Sequence, residues 1–215
     1  MARSAKTPKF ELFNSLPNCF GNRRKTAGSL MEVVKDVDHT KLVVEFGCGA
    51  ALFSIELARR HPERLFVAVD LKSERMAKPA QRALDEGLNN VLFVQTDSRS
   101  LFDFFEPSSV DELWITFPDP FPRKRQAKHR QTHPQFLALY RELLKDQGLL
   151  HLKTDDQPLF EYSIESLVSK GWNLTDLAFD LNDRPEKTDA HIITVYEQRW
   201  LLEGRITKYL QAKAG

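Results

Sequence analysis

Asp119 stands between two prolines in the run Phe117-Pro118-Asp119-Pro120-Phe121-Pro122. A proline fixes its own φ and restricts the residue before it, so this carboxylate is mounted on a stiff support. Arg123, Lys124, Arg125, Lys128 and Arg130 follow, with no acid among them. A fixed carboxylate beside a dense cationic loop suits chemistry on a polyanion. The acid would orient the reacting group while the cations hold the backbone. A bare charge run also reads as a solvated loop, but a second cluster upstream argues against that here.

That cluster begins with Gly47-Cys48-Gly49, directly after the apolar run Leu42–Phe46. Two glycines permit a tight turn and a close approach of backbone to ligand. Acids end successive apolar runs: Glu45 before the glycines, Asp70 after the second run, Asp97 after the third. Asp70 is placed to accept both ribose hydroxyls of a nucleoside. Asp97 is placed to meet an adenine amino group, and Glu45 to face a cationic group. The third glycine of the dinucleotide fingerprint is absent, because residue 52 is Leu. With Asp119 the set makes four acids, which suit a cationic ligand better than a pyrophosphate. S-adenosylmethionine, with a sulfonium and no phosphate, is therefore favoured over NAD.

The elements that must position these residues follow from periodicity. Apolar runs at Leu42–Phe46, Leu65–Asp70, Val91–Thr96, Val110–Thr116 and Leu149–Lys153 read as buried strands. Helical spacing at Ala51–Arg60, Ser73–Glu86, Pro134–Lys145 and Pro158–Ser169 separates them, with a leading helix over 26–38. Leu174–Asp180 and Ile192–Tyr196 predict a late antiparallel hairpin, and Trp200–Lys213 a final helix. The expected fold class is α/β, a doubly wound sheet, mostly parallel with a C-terminal antiparallel strand. Such sheets bind ligands at the carboxyl ends of their strands, where the acids lie. Asp155, just past Lys153, joins that set.

The 215 residues fit one domain, read as 26–215, preceded by a basic arm over 1–25. In the arm, Arg3, Lys6, Lys9, Arg23, Arg24 and Lys25 face Glu11 alone, yet the chain's net charge is only +1. Basic patches on a near-neutral protein point to one docked anionic partner rather than general stickiness. Cys19 and Cys48 lack metal-type spacing and read as reduced thiols of a cytoplasmic protein. No apolar run approaches a membrane span, and no secretory h-region is present. His129 and His133 have helical spacing, but Pro134 argues against a zinc helix, so no metal is expected. Monomer and homodimer both fit the sequence.

The segments Glu45-Phe46-Gly47-Cys48-Gly49, Ala68-Val69-Asp70, Phe117–Pro122 with its basic tail, Leu152-Lys153-Thr154-Asp155 and Thr194-Val195-Tyr196-Glu197 together resemble the bacterial tRNA (guanine-N7-)-methyltransferases, the TrmB family. The resemblance covers roughly residues 40–200. It implies a class I methyltransferase (Rossmann-like) fold and methyl transfer from S-adenosylmethionine to guanine N7 in tRNA, at position 46 of the variable loop. It also implies roles. Glu45, Gly47, Gly49, Asp70, Asp97 and Asp119 would hold the cofactor, with Asp119 catalytic. Arg123, Asp155, Thr194, Val195, Tyr196 and Glu197 would bind substrate. Lys124, Arg125, Lys128 and Arg130 would contact the tRNA backbone. Phe121, Gln126 and His129 depart from the family's usual Trp, His and Arg, and Asp70 from its common Glu. Two alternatives stay open on the residues. One is an RNA-binding module on a catalytically idle methyltransferase fold. The other is a different S-adenosylmethionine-dependent methyltransferase, although Asp119-Pro120-Phe121-Pro122 mis-sets the Asp/Asn-Pro-Pro-aromatic order of adenine amino methylases.

Overall fold

A computed structural model of the chain describes residues 7–21, 27–97 and 99–214. Its strands are β1 (Cys19–Gly21), β2 (Leu42–Phe46), β3 (Leu65–Asp70), β4 (Val91–Gln95), β5 (Val110–Thr116), β6 (Leu144–Thr154), β7 (Trp172–Ala178) and β8 (Lys208–Ala214). Its helices are α1 (Thr7–Ser15), α2 (Ala27–Asp36), α3 (Leu52–Arg60), α4 (Ser73–Asp85), α5 (Pro134–Leu143), α6 (Gln157–Ser169) and α7 (Val195–Leu202). The strands form one sheet in the order β1-β4-β3-β2-β5-β6-β8-β7. β8 alone runs against the direction of the other strands, so both its pairings, with β6 and with β7, are antiparallel.

All five residues of β2 are buried, as a strand covered on both faces requires. Leu42, Val44 and Phe46 pack on one side with Leu30 and Val34 of α2, Tyr140 of α5 and Phe160 of α6. Val43 packs on the other with Phe13 of α1, Ile55 of α3 and Met76 and Ala80 of α4. The chain leaves β2 for β3 and β4, then returns to place β5 on β2's other side. The switch point is therefore between β2 and β5, where an open crevice forms at the carboxyl ends.

Three expectations are corrected. Residues 7–21, read as part of an arm, form α1 and β1, and β1 extends the sheet along β4. Phe13, Leu16 and Phe20 supply the buried anchors that a polar average conceals. Arg23, Arg24 and Lys25 lie outside the described residues. The predicted strand at Ile192–Tyr196 is instead an irregular lead-in, Ile192 and Ile193, followed by the cap and first residues of α7. Thr194 caps that helix, its hydroxyl accepting from the Glu197 N–H at 3.2 Å, and cap chemistry overrides β-branched propensity. The predicted final helix stops at Leu202, just before Gly204 at φ +78°. Lys208–Ala214 then fills the slot between β6 and β7, where partners on both sides override its helical spacing.

His151 on β6 stacks on Trp114 of β5 with ring centroids 4.0 Å apart, and its Nδ1 meets the Tyr209 hydroxyl of β8 at 2.9 Å. Burial pushes this imidazole down to about 4. Glu112 lies 3.7 Å from Nε2, but the ring stays neutral, so the contact is not an ion pair at neutral pH. The unfolded chain takes up this proton near pH 6.5 and the folded chain only near pH 4. Stability is thus full above pH 6.5 and falls by about 3 kcal/mol as pH drops to 4. His151→Phe keeps the stacking and should flatten that part of the profile. Urea denaturation at pH 7 and at pH 4.5 measures it, and equal pH dependence in both proteins refutes the assignment.

Candidate active site

A cleft of about 200 Å³ opens at the β2/β5 switch point. Gly47 (φ +71°) and Gly49 (φ +57°) form its turn, and the Gly47 and Cys48 N–H groups donate to Val69 O of β3. A Cβ on either glycine would meet nothing within 4 Å. Their need is therefore conformational, and the space beside them is left to the cleft. Asp70 braces the turn: Oδ2 accepts from the Gly49 N–H at 2.9 Å and Oδ1 from the Lys72 N–H at 2.8 Å. A carboxylate offers about four acceptor positions, so capacity for further donors remains.

Glu45 lies at the cleft floor, 3% exposed. Its Oε2 accepts from the Ser54 N–H and hydroxyl at 3.2 and 2.6 Å, and its Oε1 from the Thr116 hydroxyl. Burial pushes its carboxyl up, and these hydrogen bonds together with the Lys153 charge pull it back. Asp97 lies beyond β4, where Oδ1 accepts from the Arg99 N–H at 2.7 Å; it does not line the cleft.

The loop after β5 carries Asp119, which is solvent-exposed. Phe117 (φ +48°) and Phe121 (φ +44°) flank it in the left-handed region, each directly before a proline. That conformation costs bulky residues roughly 1–3 kcal/mol each and persists only where surroundings enforce it. The enforcing contacts are visible. The Phe117 N–H donates to Lys153 O at 2.8 Å. Arg130 donates from Nε to Pro120 O and from Nη2 to Phe121 O, both at 3.1 Å, and its guanidinium lies 4.3 Å from the centre of the Tyr162 ring. Arg130, expected on tRNA phosphate, is therefore committed to the loop itself. Arg123, Lys124, Arg125 and Lys128 are exposed, on and beside a short 3-10 turn over Lys124–His129.

Thr194, Val195 and Tyr196 form the start of α7; Thr194 and Tyr196 line the cleft, and Val195 is exposed. Glu197, expected to bind substrate, instead turns inward. Its Oε2 pairs with Lys153 Nζ at 2.9 Å and its Oε1 accepts from the Thr207 hydroxyl at 3.0 Å. Lys153, wholly buried, also donates to Ile192 O at 2.9 Å. The Asp155 carboxylate pairs with Arg205 at 2.8 Å, an arginine half in solvent. Residues missed from the sequence are Lys153, Arg75, Thr116 and Trp200, of which the last three line the cleft. Lys153 had a signal: a lysine inside the apolar run of β6 requires a buried acid.

Among the described residues, no group of three or more His, Cys, Asp or Glu side chains could hold a metal ion. No described helix is long and apolar enough to cross a membrane.

Solved structures share this architecture. The 16S rRNA methyltransferase KamB superposes with a TM-score of 0.67 at 17% identity, covering 87% of this chain and 94% of its own. A variant of the 16S rRNA (adenine(1408)-N(1))-methyltransferase from Catenulisporales acidiphilia, solved with cosubstrate SAM, gives 0.60 at 18% identity, covering 87% and 91%. The fold is that of the class I methyltransferases. A family described as "Putative methyltransferase" matches residues 39–210. The tRNA (guanine-N(7)-)-methyltransferase of Christiangramia forsetii is 36% identical over 82% of this chain and 79% of its own length. Those of Staphylococcus carnosus (37%; 80% and 81%) and Clostridioides difficile (35%; 75% and 74%) are similarly related. The chain belongs to the tRNA (guanine-N7-)-methyltransferase family.

The Lys153–Glu197 pair anchors α7, and removing one partner strands a buried charge. Glu197→Ala should cost roughly 3–5 kcal/mol, and Lys153→Met with Glu197→Leu should recover most of that. Urea unfolding measures both variants. A loss below about 1 kcal/mol in the single variant shows that the pair is not the anchor.

Proposed function

We propose that the protein transfers a methyl group from S-adenosylmethionine to N7 of guanine in tRNA. The observation that carries this reading is the juxtaposition, at one switch point, of an acid-floored cleft and a strained Pro-Asp-Pro loop with four exposed cations. Family membership supports the base and the RNA class, and the expected target is the variable-loop guanine at position 46.

The cleft fits the cofactor by its donor set. Asp70, braced by two backbone N–H groups, keeps acceptor capacity for ribose hydroxyls. Asp97, which lies beyond β4 and outside the cleft lining, would meet the adenine amino group only where the cofactor extends past the cleft. Glu45 makes the floor a place for positive charge, and the open side of Gly47 and Gly49 admits close approach. S-adenosylmethionine supplies an electrophilic methyl group when bound.

Guanine N7 carries a lone pair and no proton, so no residue has to act as a base. The protein's task is alignment and exclusion of water, and alignment alone is worth on the order of 7–11 kcal/mol of barrier. Asp119 orients guanine by accepting from N1–H and the exocyclic amine, and offsets the charge that develops on the ring. Thr194, Val195 and Tyr196 form the substrate rim, and Asp155 is a second carboxylate near it once Arg205 yields. Arg123, Lys124, Arg125 and Lys128 hold phosphates. This activity belongs with the tRNA pool, in the cytoplasm.

Two measurements test the reading. In single-turnover methylation of saturating tRNA, Asp119→Asn should lower the rate far more than it lowers tRNA affinity, because the phosphate contacts survive. Rates near those of the parent remove Asp119 from the chemistry. Arg123→Ala with Lys124→Ala should weaken tRNA binding and reduce the salt slope by about two units, one per phosphate contact. Weaker binding with an unchanged slope assigns these cations another role.

A further inference from the structure

On the aromatic side of the cleft, Tyr196 stands above only as part of the substrate rim, and Trp200 has no role in the assignments above. Tyr196 and Trp200 are four residues apart on α7, so they share a helix face, and both line the cleft. Phe117, from the strained loop, meets Trp200 with ring centroids 5.1 Å apart and planes at 60°. Trp114 and Trp172 are each 3% exposed, as core packing demands, whereas Trp200 is only half-buried and Tyr196 is 55% exposed. Large aromatic area is thus held open to solvent beside Glu45 and Thr116, at the point where the cleft meets the Asp119 loop.

A base drawn out of folded RNA loses its stacking partners, and proteins that act on bases replace them with aromatic rings. We infer that Trp200, together with Tyr196, forms the wall against which the target guanine is held for attack. This rests on the functional reading above and assigns the residue that receives the base. An indole offers more than apolar contact, because its π face attracts cations more strongly than other aromatic side chains do. Guanine becomes cationic as N7 is methylated, so its contact with Trp200 strengthens along the reaction. Arg205, paired to Asp155, lies 5.6 Å from the indole centre and links that carboxylate to the same wall.

Trp200 is the one tryptophan of three that is not buried, which makes it its own reporter. Tryptophan emission of the parent should change when unmodified tRNA is added, and should not change with S-adenosylhomocysteine alone. The change should vanish in Trp200→Phe. In single-turnover methylation, Trp200→Ala should slow the step roughly 5- to 150-fold, the range of base–aromatic stacking. Trp200→Phe should recover most of the rate, which a purely packing role for the indole would not require. Emission that ignores tRNA under methylating conditions, or that responds to S-adenosylhomocysteine instead, overturns the inference and leaves the functional reading intact. So does a folded Trp200→Ala protein within twofold of the parent rate. A parent that methylates no tRNA guanine overturns both.

Discussion

Lys153 is where the three sides of the cleft meet. Its ammonium pairs with Glu197 and donates to the Ile192 carbonyl, which fixes the approach to α7. Its backbone carbonyl receives the Phe117 N–H, which sets the departure of the Asp119 loop from β5. Its charge acts on Glu45, the acid at the floor. Burial pulls the ammonium down and Glu197 holds it up. A buried pair contributes little net stability against an apolar substitute, but it specifies geometry and fails if one half is lost. The cleft uses it in that way, to lock three elements into one register.

The strain in the neighbouring loop has the same logic. Two phenylalanines in left-handed conformations before prolines would relax in an isolated peptide. Here Arg130 closes the far end through two carbonyls while Lys153 holds the near end. The result is a carboxylate, Asp119, whose position is determined by backbone geometry rather than by its own hydrogen bonds. For a displacement that needs alignment and no proton transfer, a rigid carboxylate serves better than a basic one. The surrounding electrostatics divide the work. Glu45 lines the cleft, while Arg123, Lys124, Arg125 and Lys128 are exposed beside it, and the chain as a whole stays near neutral at +1.

Much of this was legible in the residues. The five central strands were readable because a parallel sheet covered on both faces leaves near-continuous apolar runs such as Leu42–Phe46. The acids at their ends could be found because strand ends in this topology converge on one crevice. The N-terminal and C-terminal segments were not readable in the same way. Phe13, Leu16 and Phe20 are too sparse among polar neighbours to outweigh the basic average of the first 25 residues. Lys208–Ala214 has helical spacing and becomes a strand only because the sheet leaves a gap there. At the site, residue type misled in two places. Glu197 and Arg130 carry the charges that substrate contacts need, yet both are turned to internal partners. Charge alone does not reveal whether a side chain faces the ligand or holds the residue that does.

The central claim is a specific bond, from the transferred methyl carbon to guanine N7 in tRNA. A methyl group at N7 makes the nucleoside labile to borohydride reduction followed by aniline cleavage, whereas a methyl on an exocyclic amine or on N1 does not. The decisive measurement is incubation of the protein with unmodified tRNA and labelled S-adenosylmethionine, followed by that cleavage and sizing of the fragments. The account predicts stoichiometric label and a single cut at the variable-loop guanosine. Label that enters the RNA without creating a cleavage site would contradict it, as would a cut at any base other than guanine.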